Sequence, residues 1–464
     1  MKVPGIKNGN PAFWACLFSI LSLSSCSVEE ITDPNNPSLA TVLSDASVTE
    51  LQALVTGLEA RNRDFWGSTT AMFGSFGREV WAYFGSDPRF LSHWLGIGVT
   101  ETYPDFFASE GSYITPYLAV KQANVLEQAT QNSSSLTAEQ SSGYLGFAKT
   151  IKAFQLLIPL MQQYQNGVRT DVSNPLNPGQ ILGFNGALQA IRLLLNEALI
   201  DLQSSGASFS FYLSSGFEGF NEPASFQKLN RALAARAALY AEAWQDALTA
   251  LNNSFIDLQI SPESIDKLYI GPSFVFGEAP DINNPLYYPY DQPTNSILIV
   301  HPAMLEDAIP GDKRIPLKFI KRNMNSVSSP GLLDSNGNRL LGEYQDNRWE
   351  TNITPIPFIR NEELILIYSE VQTRLGEFEE AIRAIDIIRS VWGLQRYSGG
   401  SSTEELLEEI LIQRRYSLWA EGGHRWIDLR RTGHLNADYV DLRDGGNIFN
   451  QVARRSSEIN WDNR

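Results

Sequence analysis

The chain has few cysteines and a shortage of positive charge, and both restrict what it can do. Its two cysteines, Cys16 and Cys26, lie near the start, so the body of the chain has no thiol and no disulfide. Lys and Arg number 36 against 52 Asp and Glu, and the resulting net charge of −16 repels phosphate backbones. The 4 histidines show no His-x3-His spacing. These features exclude zinc fingers, iron–sulfur clusters and thiol nucleophiles from the body, and they predict no nucleic-acid partner, metal or cofactor.

Long hydrophobic runs are also scarce. The run from Phe13 to Leu21 follows Lys2 and Lys7 and is too short to span a bilayer, but it has the length of a signal-peptide core. It ends in Leu23-Ser24-Ser25-Cys26, which resembles a bacterial lipobox. The pattern predicts a lipoprotein signal peptide over residues 1–25 and an acyl anchor, including palmitate, on Cys26. An ordinary signal peptide with an incidental cysteine is the alternative.

Residues 26–40 are polar and contain prolines, so they predict a tether rather than a helix or central strand. The acidic pair Glu29-Glu30 resembles the surface-export signal of Bacteroidetes-type lipoproteins. That resemblance implies an outer-membrane, lipid-anchored protein on the cell surface, although acidic residues follow many cleavage sites.

The remaining residues, 41–464, predict a single and mainly α-helical body. The apolar share of 43% is enough for a large core, and capping boxes begin at Ser47, Thr137 and Ser402. Helical periodicity predicts helices over 137–165, 183–204, 226–252, 361–392 and 402–421. Around 253–360 the period is lost, which predicts a large irregular region with short β-hairpins, one of them over 332–341 around Asn336-Gly337.

Two helical segments repeat one another at a shift of 134 residues. Their apolar positions are Leu233, Ala237, Trp244, Ala247, Leu248 and Leu251 in the first, and Ile367, Val371, Phe378, Ala381, Ile382 and Ile385 in the second. Each segment breaks just before its large aromatic residue, which predicts a helical hairpin of the tetratricopeptide kind. Chance amphipathicity is the alternative.

The last predicted helix runs into the string Gln413-Arg414-Arg415-Tyr416-Ser417-Leu418-Trp419-Ala420-Glu421-Gly422-Gly423-His424-Arg425-Trp426-Ile427-Asp428-Leu429-Arg430-Arg431-Thr432-Gly433. This string resembles the C-terminal signature of the SusD/RagB family of nutrient-uptake outer-membrane lipoproteins. Residues 232–247 and 364–394 are similar to two helical hairpins of that family. Gln413 and Ser417 replace usual acids, and Gly423 resembles an insertion.

The resemblance implies a SusD-like fold with four tetratricopeptide-like helix pairs. It also implies a non-catalytic surface lipoprotein that captures a nutrient, usually an oligosaccharide, and passes it to a SusC-like TonB-dependent transporter. We read the alternating charges of Glu421, Arg425, Asp428 and Arg430 as an ion-pair network that fixes the chain end.

An aromatic-rich segment is the candidate ligand site. Residues 65–117 contain 14 of the chain's aromatic residues, interleaved with glycines. A flat ring can bury the C–H face of a sugar, and nearby polar groups can bond its hydroxyls. The candidate rings are Trp66, Trp81, Tyr83 and Trp94, with Tyr287 and Tyr288 beside Tyr290 as a second platform, and the candidate carboxylates are Glu79, Asp87, Glu101 and Asp105. Core packing is the alternative role for any one of these rings.

Two other functions remain open. Aromatic rings with carboxylates such as Glu79 and Asp87 are also typical of a glycoside hydrolase with a helical fold. A tetratricopeptide-type scaffold that binds proteins is the third interpretation.

Overall fold

A computed structural model describes residues 39–464 except 291, 330, 334–339 and 341. The predicted signal peptide, Cys26 and nearly all of the tether lie outside the described residues. So does the Asn336-Gly337 turn of the predicted hairpin, although the Leu340 amide donates to the Leu332 carbonyl at 2.8 Å across its flanks.

The described residues form sixteen α-helices. They are α1 Leu39–Ser44, α2 Val48–Asn62, α3 Trp66–Phe76, α4 Arg89–Leu95, α5 Ile114–Asn132, α6 Ala138–Gln163, α7 Phe184–Gln203, α8 Pro223–Tyr240, α9 Trp244–Asn252, α10 Ala303–Glu306, α11 Arg314–Lys318, α12 Asn361–Leu375, α13 Phe378–Val391, α14 Thr403–Ser417, α15 His424–Arg431 and α16 Ser456–Asp462. Short 3-10 turns cover Tyr164–Asn166, Ser215–Phe217, Pro262–Tyr269 and Met324–Ser326. The mainly α fold class is confirmed.

The three predicted capping boxes are confirmed. Ser47, Thr137 and Ser402 each accept a hydrogen bond from the backbone amide three residues on, and the side chain of that residue accepts one from the backbone amide of the capping residue. These reciprocal bonds satisfy amides that would otherwise lack partners in the first turns of α2, α6 and α14.

The two segments that repeat in sequence are both helical hairpins. The first breaks between Tyr240 and Trp244, and the second turns at Gly376, whose φ of +84° suits glycine. Their repeated small and aliphatic positions are fully buried: Leu233, Ala237, Ala247 and Leu251 in one, and Ile367, Val371, Ala381 and Ile385 in the other. The hairpins therefore bury one stripe each, as tetratricopeptide-like packing requires.

Eight short strands lie mostly within the irregular region. They are β1 Val80–Phe84, β2 Val168–Arg169, β3 Ile181–Leu182, β4 Ser273–Phe274, β5 Ser296–Val300, β6 Phe319–Lys321, β7 Tyr344–Asp346 and β8 Ile356–Pro357. The largest sheet has the order β1-β5-β7-β6 and is antiparallel throughout. Phe84 at the end of β1 pairs with Ser296 at the start of β5.

One large core holds the helices and the sheet together. Its buried side chains run from Ala46 in the N-terminal part to Val452 near the end of the chain. The C-terminal signature is deep inside it, because Trp426 packs against Phe73 and Phe76 with ring centroids 4.8 and 5.0 Å apart.

The charged residues of the signature form ion pairs only in part. Glu421 pairs with Arg360 at 3.0 Å and Arg348 at 3.2 Å, and Asp428 pairs with Arg414 at 2.6 Å. Burial alone would raise the pKa of Asp428, but its arginine partners lower this pKa to about 2.

Arg425 and Arg430 do not take part in this ion-pair network, which corrects that part of the prediction. Arg425 donates to the Tyr439 carbonyl at 3.0 Å. Arg430 donates to the carbonyls of Asn450 and Met161 at 2.7 and 2.8 Å. Both guanidinium groups therefore fix neighbouring backbone instead of neutralising a carboxylate.

Gln413 and Ser417, which stand where the SusD/RagB resemblance implies acids, accept hydrogen bonds from a buried arginine. Gln413 Oε1 and Ser417 Oγ accept hydrogen bonds of 2.8 and 2.9 Å from the buried Arg314. The charge of Arg314 is balanced by Asp312 at 2.7 Å. Neutral acceptors are sufficient here because one carboxylate already pairs with the guanidinium.

No helix among the described residues combines the length and apolar character needed to cross a bilayer.

Candidate ligand-binding surfaces

The four predicted tryptophan and tyrosine platforms in residues 65–117 are interior, which corrects their assignment to a ligand surface. Trp66, Trp81, Tyr83 and Trp94 expose at most 3% of their surface. No ring face is therefore open for a sugar to stack on. The contacts of these four rings inside the fold show the structural role of each.

Trp81 and Tyr83 stack on each other with centroids 6.3 Å apart and nearly parallel planes. The Trp81 indole donates to Asp444 at 3.3 Å, and the Tyr83 hydroxyl donates to the Leu340 carbonyl at 2.7 Å. Strand β1 is apolar at all five positions, which is typical of a strand covered on both faces, so this signal could have revealed the burial.

Trp66 and Trp94 pack against other aromatic rings. Trp66 meets Phe274 edge-on at 5.2 Å and lines an internal cavity of only about 30 Å³. Trp94 meets Phe90 edge-on at 5.0 Å, and its indole donates to the Phe107 carbonyl at 3.0 Å. Glycine-spaced aromatic residues here fill an irregular core, as the alternative interpretation held.

The second predicted platform lies closer to solvent. Tyr287 and Tyr288 are half-buried, and Tyr290 is 51% exposed. Gln345 donates to the Tyr288 carbonyl at 2.8 Å, which attaches this loop to β7. Tyr288 packs on the small core formed by Trp81, Tyr83 and their neighbours, and burial raises its pKa.

The pairing of β1 with β5 places the residues that follow β1 beside the residues that precede β5. The Gly85 amide, just after β1, donates to the Asn295 carbonyl, just before β5, at 2.6 Å. At this end lie Phe84, the last residue of β1, and Phe90, with ring centroids 5.1 Å apart, both half-buried. We call Phe84, Asp87, Arg89 and Phe90 the sheet-end surface. The loop with Tyr287 and Tyr290 is held instead to β7 and to the end of β6, where Arg322 donates to the Pro289 carbonyl at 3.0 Å.

The charged groups of the sheet-end surface are preorganised. Both carboxylate oxygens of Asp87 accept from Arg89, at 3.0 Å from Nε and 2.7 Å from Nη2. These hydrogen bonds lower the pKa of Asp87 to about 2. The Arg89 guanidinium also lies 4.3 Å from the Phe107 ring centroid. The surface therefore offers aromatic edges beside a fixed ionic pair, which suits a neutral polyhydroxylated ligand.

A second surface with exposed rings is a groove of about 450 Å³ that the sequence analysis missed. It is lined by Glu218, Gly219, Phe220, Ser225, Lys228, Phe255, Tyr269, Ile270 and Gly271, and we call it the Tyr269 groove. The Tyr269 side chain is 41% exposed, with the Arg360 guanidinium 5.2 Å from its ring centroid. Its volume falls within the range of small-ligand sites.

Larger grooves of about 520 and 660 Å³ run between the helices of the body. The residues that line them include charged pairs such as Arg192 with Asp246, but no aromatic side chain. Among the described grooves, these two lack the flat apolar face that sugar stacking needs.

The other predicted carboxylates differ in their surroundings. Glu79 is buried, and desolvation raises its pKa to about 8. Asp105 accepts from the Ser456 amide and lies 3.3 Å from Arg455, and Glu101 is exposed. The structure therefore brings Asp87 alone of the four to the sheet-end surface.

Comparisons with known proteins agree on one family. The model of the SusD family matches residues 336–463. Surface glycan-binding protein A from Bacteroides uniformis is 13% identical, with a TM-score of 0.67 over 90% of this chain and 98% of that one. The protein of the same name from Bacteroides thetaiotaomicron, solved with laminarihexaose, is 15% identical, with a TM-score of 0.64 over 88% and 95%.

A structure described as a laminarin binding SusD-like protein is 18% identical, with a TM-score of 0.64 over 89% of this chain and 97% of that one. A comparison with curated proteins finds no match. At these identities the structural likeness establishes the fold. Together with the match over residues 336–463, it confirms the resemblance to the SusD/RagB family.

Proposed function

Because the chain resembles the SusD family in its C-terminal sequence and in its whole fold, we propose that it is a non-catalytic lipoprotein that captures an oligosaccharide. Tyr290 and Tyr287 stack on sugar rings, and the Asp87–Arg89 pair of the sheet-end surface bonds hydroxyls. The observation that carries this assignment is exposure: Tyr290 is 51% exposed, whereas the four predicted rings of residues 65–117 expose at most 3% of their surface.

The nutrient then passes to a SusC-like TonB-dependent transporter, as the family resemblance implies. Lipidation of Cys26 would anchor the chain to the outer membrane and residues 26–40 would act as its tether, so that the body meets ligand at the cell surface.

The surroundings of the candidate carboxylates argue against hydrolysis. Glu79 directly precedes β1, and Asp87 lies three residues beyond its end. Glu79 is also buried, and Asp87 is held ionised by Arg89, so neither is placed to protonate a glycosidic oxygen.

Calorimetric titration of the purified protein with a glycan panel tests the proposal. Laminarihexaose is the first ligand to use, because it occupies a structural relative of this chain. Loss of the ring in Tyr290→Ala should weaken binding by about 5- to 30-fold, since stacking one ring contributes about 1 to 2 kcal/mol. Tyr212→Ala is the matched control, because Tyr212 is 85% exposed in another loop.

The outcomes separate the surfaces and the functions. If Tyr269→Ala weakens binding and Tyr290→Ala does not, the ligand contacts the Tyr269 groove instead. If no glycan binds, the carbohydrate assignment is wrong. If the wild-type protein releases shorter sugars from a glycan and Asp87→Asn does not, the protein is a glycoside hydrolase and the binding-only proposal is wrong.

A further inference from the structure

A group of three possible metal ligands lies away from both candidate ligand surfaces. Glu404 and Glu408 are one turn apart on the same face of α14, and His434 follows the end of α15. His434 Nε2 lies 3.4 Å from a carboxylate oxygen of Glu404 and 3.4 Å from one of Glu408. One ligand atom from each residue falls within 4.8 Å of the other two. Linear spacing did not show this group, because it joins two helical segments.

The hydrogen bonds around His434 assign its tautomer. The Thr432 hydroxyl donates its single proton to the Asp428 carbonyl at 2.8 Å. Its oxygen must therefore accept from His434 Nδ1, which lies 2.9 Å away. The remaining ring nitrogen, Nε2, faces the two carboxylates.

The three groups converge on one point. Nε2 is the ring nitrogen that Thr432 does not engage, and it faces one oxygen of each carboxylate. Among the residues that the structure describes, the ion-pair contacts of Glu404 and Glu408 are with His434 alone. A metal ion at this point would take one lone pair from each of the three groups.

The two distances from His434 Nε2 match a tetrahedral metal site. Zinc binds imidazole nitrogen and carboxylate oxygen at about 2.0–2.2 Å, so two ligands on one tetrahedron lie about 3.4 Å apart. Both measured separations from Nε2 are 3.4 Å. Imidazole is a ligand that zinc and similar transition metals accept, whereas calcium and magnesium prefer oxygen.

Neighbouring groups orient the ligands as they do in metal sites. Tyr439 packs edge-on against His434 with centroids 4.6 Å apart. The Tyr439 hydroxyl donates a hydrogen bond to the Glu408 carboxylate and fixes its orientation. Such supporting bonds hold metal ligands in place in known sites.

We propose that Glu404, Glu408 and His434 bind one divalent transition-metal ion of the zinc class. The ion links α14 to the segment after α15, and its fourth position is open to solvent because the Glu404 side chain is 72% exposed. The site is independent of glycan binding.

Calorimetric titration of the chelator-treated protein with ZnCl₂ tests the site. The wild-type protein should bind one equivalent, and Glu404→Gln and His434→Gln should each weaken binding by about 100-fold or more. Glu379→Gln, which neutralises an exposed glutamate at the start of α13, should leave binding unchanged. Thr432→Val should weaken zinc binding by about tenfold, because without the Thr432 hydroxyl nothing holds the proton of His434 on Nδ1.

A second measurement makes the result independent of folding defects. Zinc should raise the melting temperature of the wild-type and Glu379→Gln proteins but not that of Glu404→Gln. Because Glu404 is on the surface, its substitution should not disturb folding. Equal zinc binding by all variants, or none by the wild type, would overturn the proposal. So would an NMR spectrum in which both nitrogens of His434 carry protons and zinc changes neither signal.

Discussion

The buried carboxyl of Glu79 should make the protein less stable as the pH rises. Glu79 is 1% exposed, one of its oxygens has no hydrogen-bond partner, and the other accepts only a 3.4 Å bond from the Ala420 amide. Desolvation therefore raises its pKa from 4.5 to about 8, against the attraction of Arg425 and Arg415. Between these two pH values the folded state holds a proton that the unfolded state has lost.

The sign and size of the effect follow from that difference. Stability is full below pH 4.5 and decreases as the pH rises toward 8, by about 1.4 kcal/mol per pH unit. Glu79→Gln carries no charge at any pH. Its free energy of unfolding should therefore rise relative to wild type by about 4 kcal/mol between pH 5 and pH 9.

Chemical unfolding of both proteins at pH 5, 7 and 9 measures this difference. Taking the difference cancels the titration of groups that do not interact with Glu79. The same substitution at the exposed Glu350 controls for loss of a surface carboxylate. A difference between Glu79→Gln and wild type that is the same at pH 5 and pH 9 would show that the carboxyl is ionised in the folded protein, and would refute the reasoning.

Two further predictions concern the C-terminal signature. Asp428→Asn leaves the buried Arg414 without its 2.6 Å partner, so the free energy of unfolding at pH 7 should fall by about 3–5 kcal/mol, whereas exposed Asp438→Asn should change it little. Equal stability of the two variants would contradict this. Gly423→Ala should cost at least about 1–3 kcal/mol more than Gly433→Ala in the same assay. Both glycines have φ near +80°, but a Cβ at 423 would lie 2.1 Å from Phe73, whereas one at 433 would meet open space. Equal losses of stability in the two variants would show that the contact with Phe73 is not the cause.

Local signals in the sequence predicted the helical part of the fold well. Capping boxes at Ser47, Thr137 and Ser402 begin helices in the structure, and the break before Trp244 is a real turn. Capping boxes and turns depend on contacts between residues a few positions apart, so they can be predicted from the sequence.

The candidate sites were harder to predict, because exposure depends on distant parts of the chain. The apolar run of β1 could have indicated that Trp81 is buried, but the residues that cover it, Asp444 and Leu340, are distant in the sequence. The Tyr269 groove and the Glu404–Glu408–His434 group join residues from separate elements. Gly423, which resembled an insertion, is the left-handed residue from which α15 begins, at a φ of +82°.

The position of the C-terminal signature has a consequence for how the chain acquires its structure. Arg78 donates to Asp444 at 2.8 Å, and the Trp419 indole donates to the Glu79 carbonyl at 3.0 Å. Residues near the start of the body therefore bond residues far along the chain. A nascent chain that lacks its final 50 or so residues leaves the Arg78 guanidinium without its carboxylate and the rings of α3 without a cover. We expect residues 415–464 to be needed before the interior closes around α3, so that a chain without them should stay loosely packed.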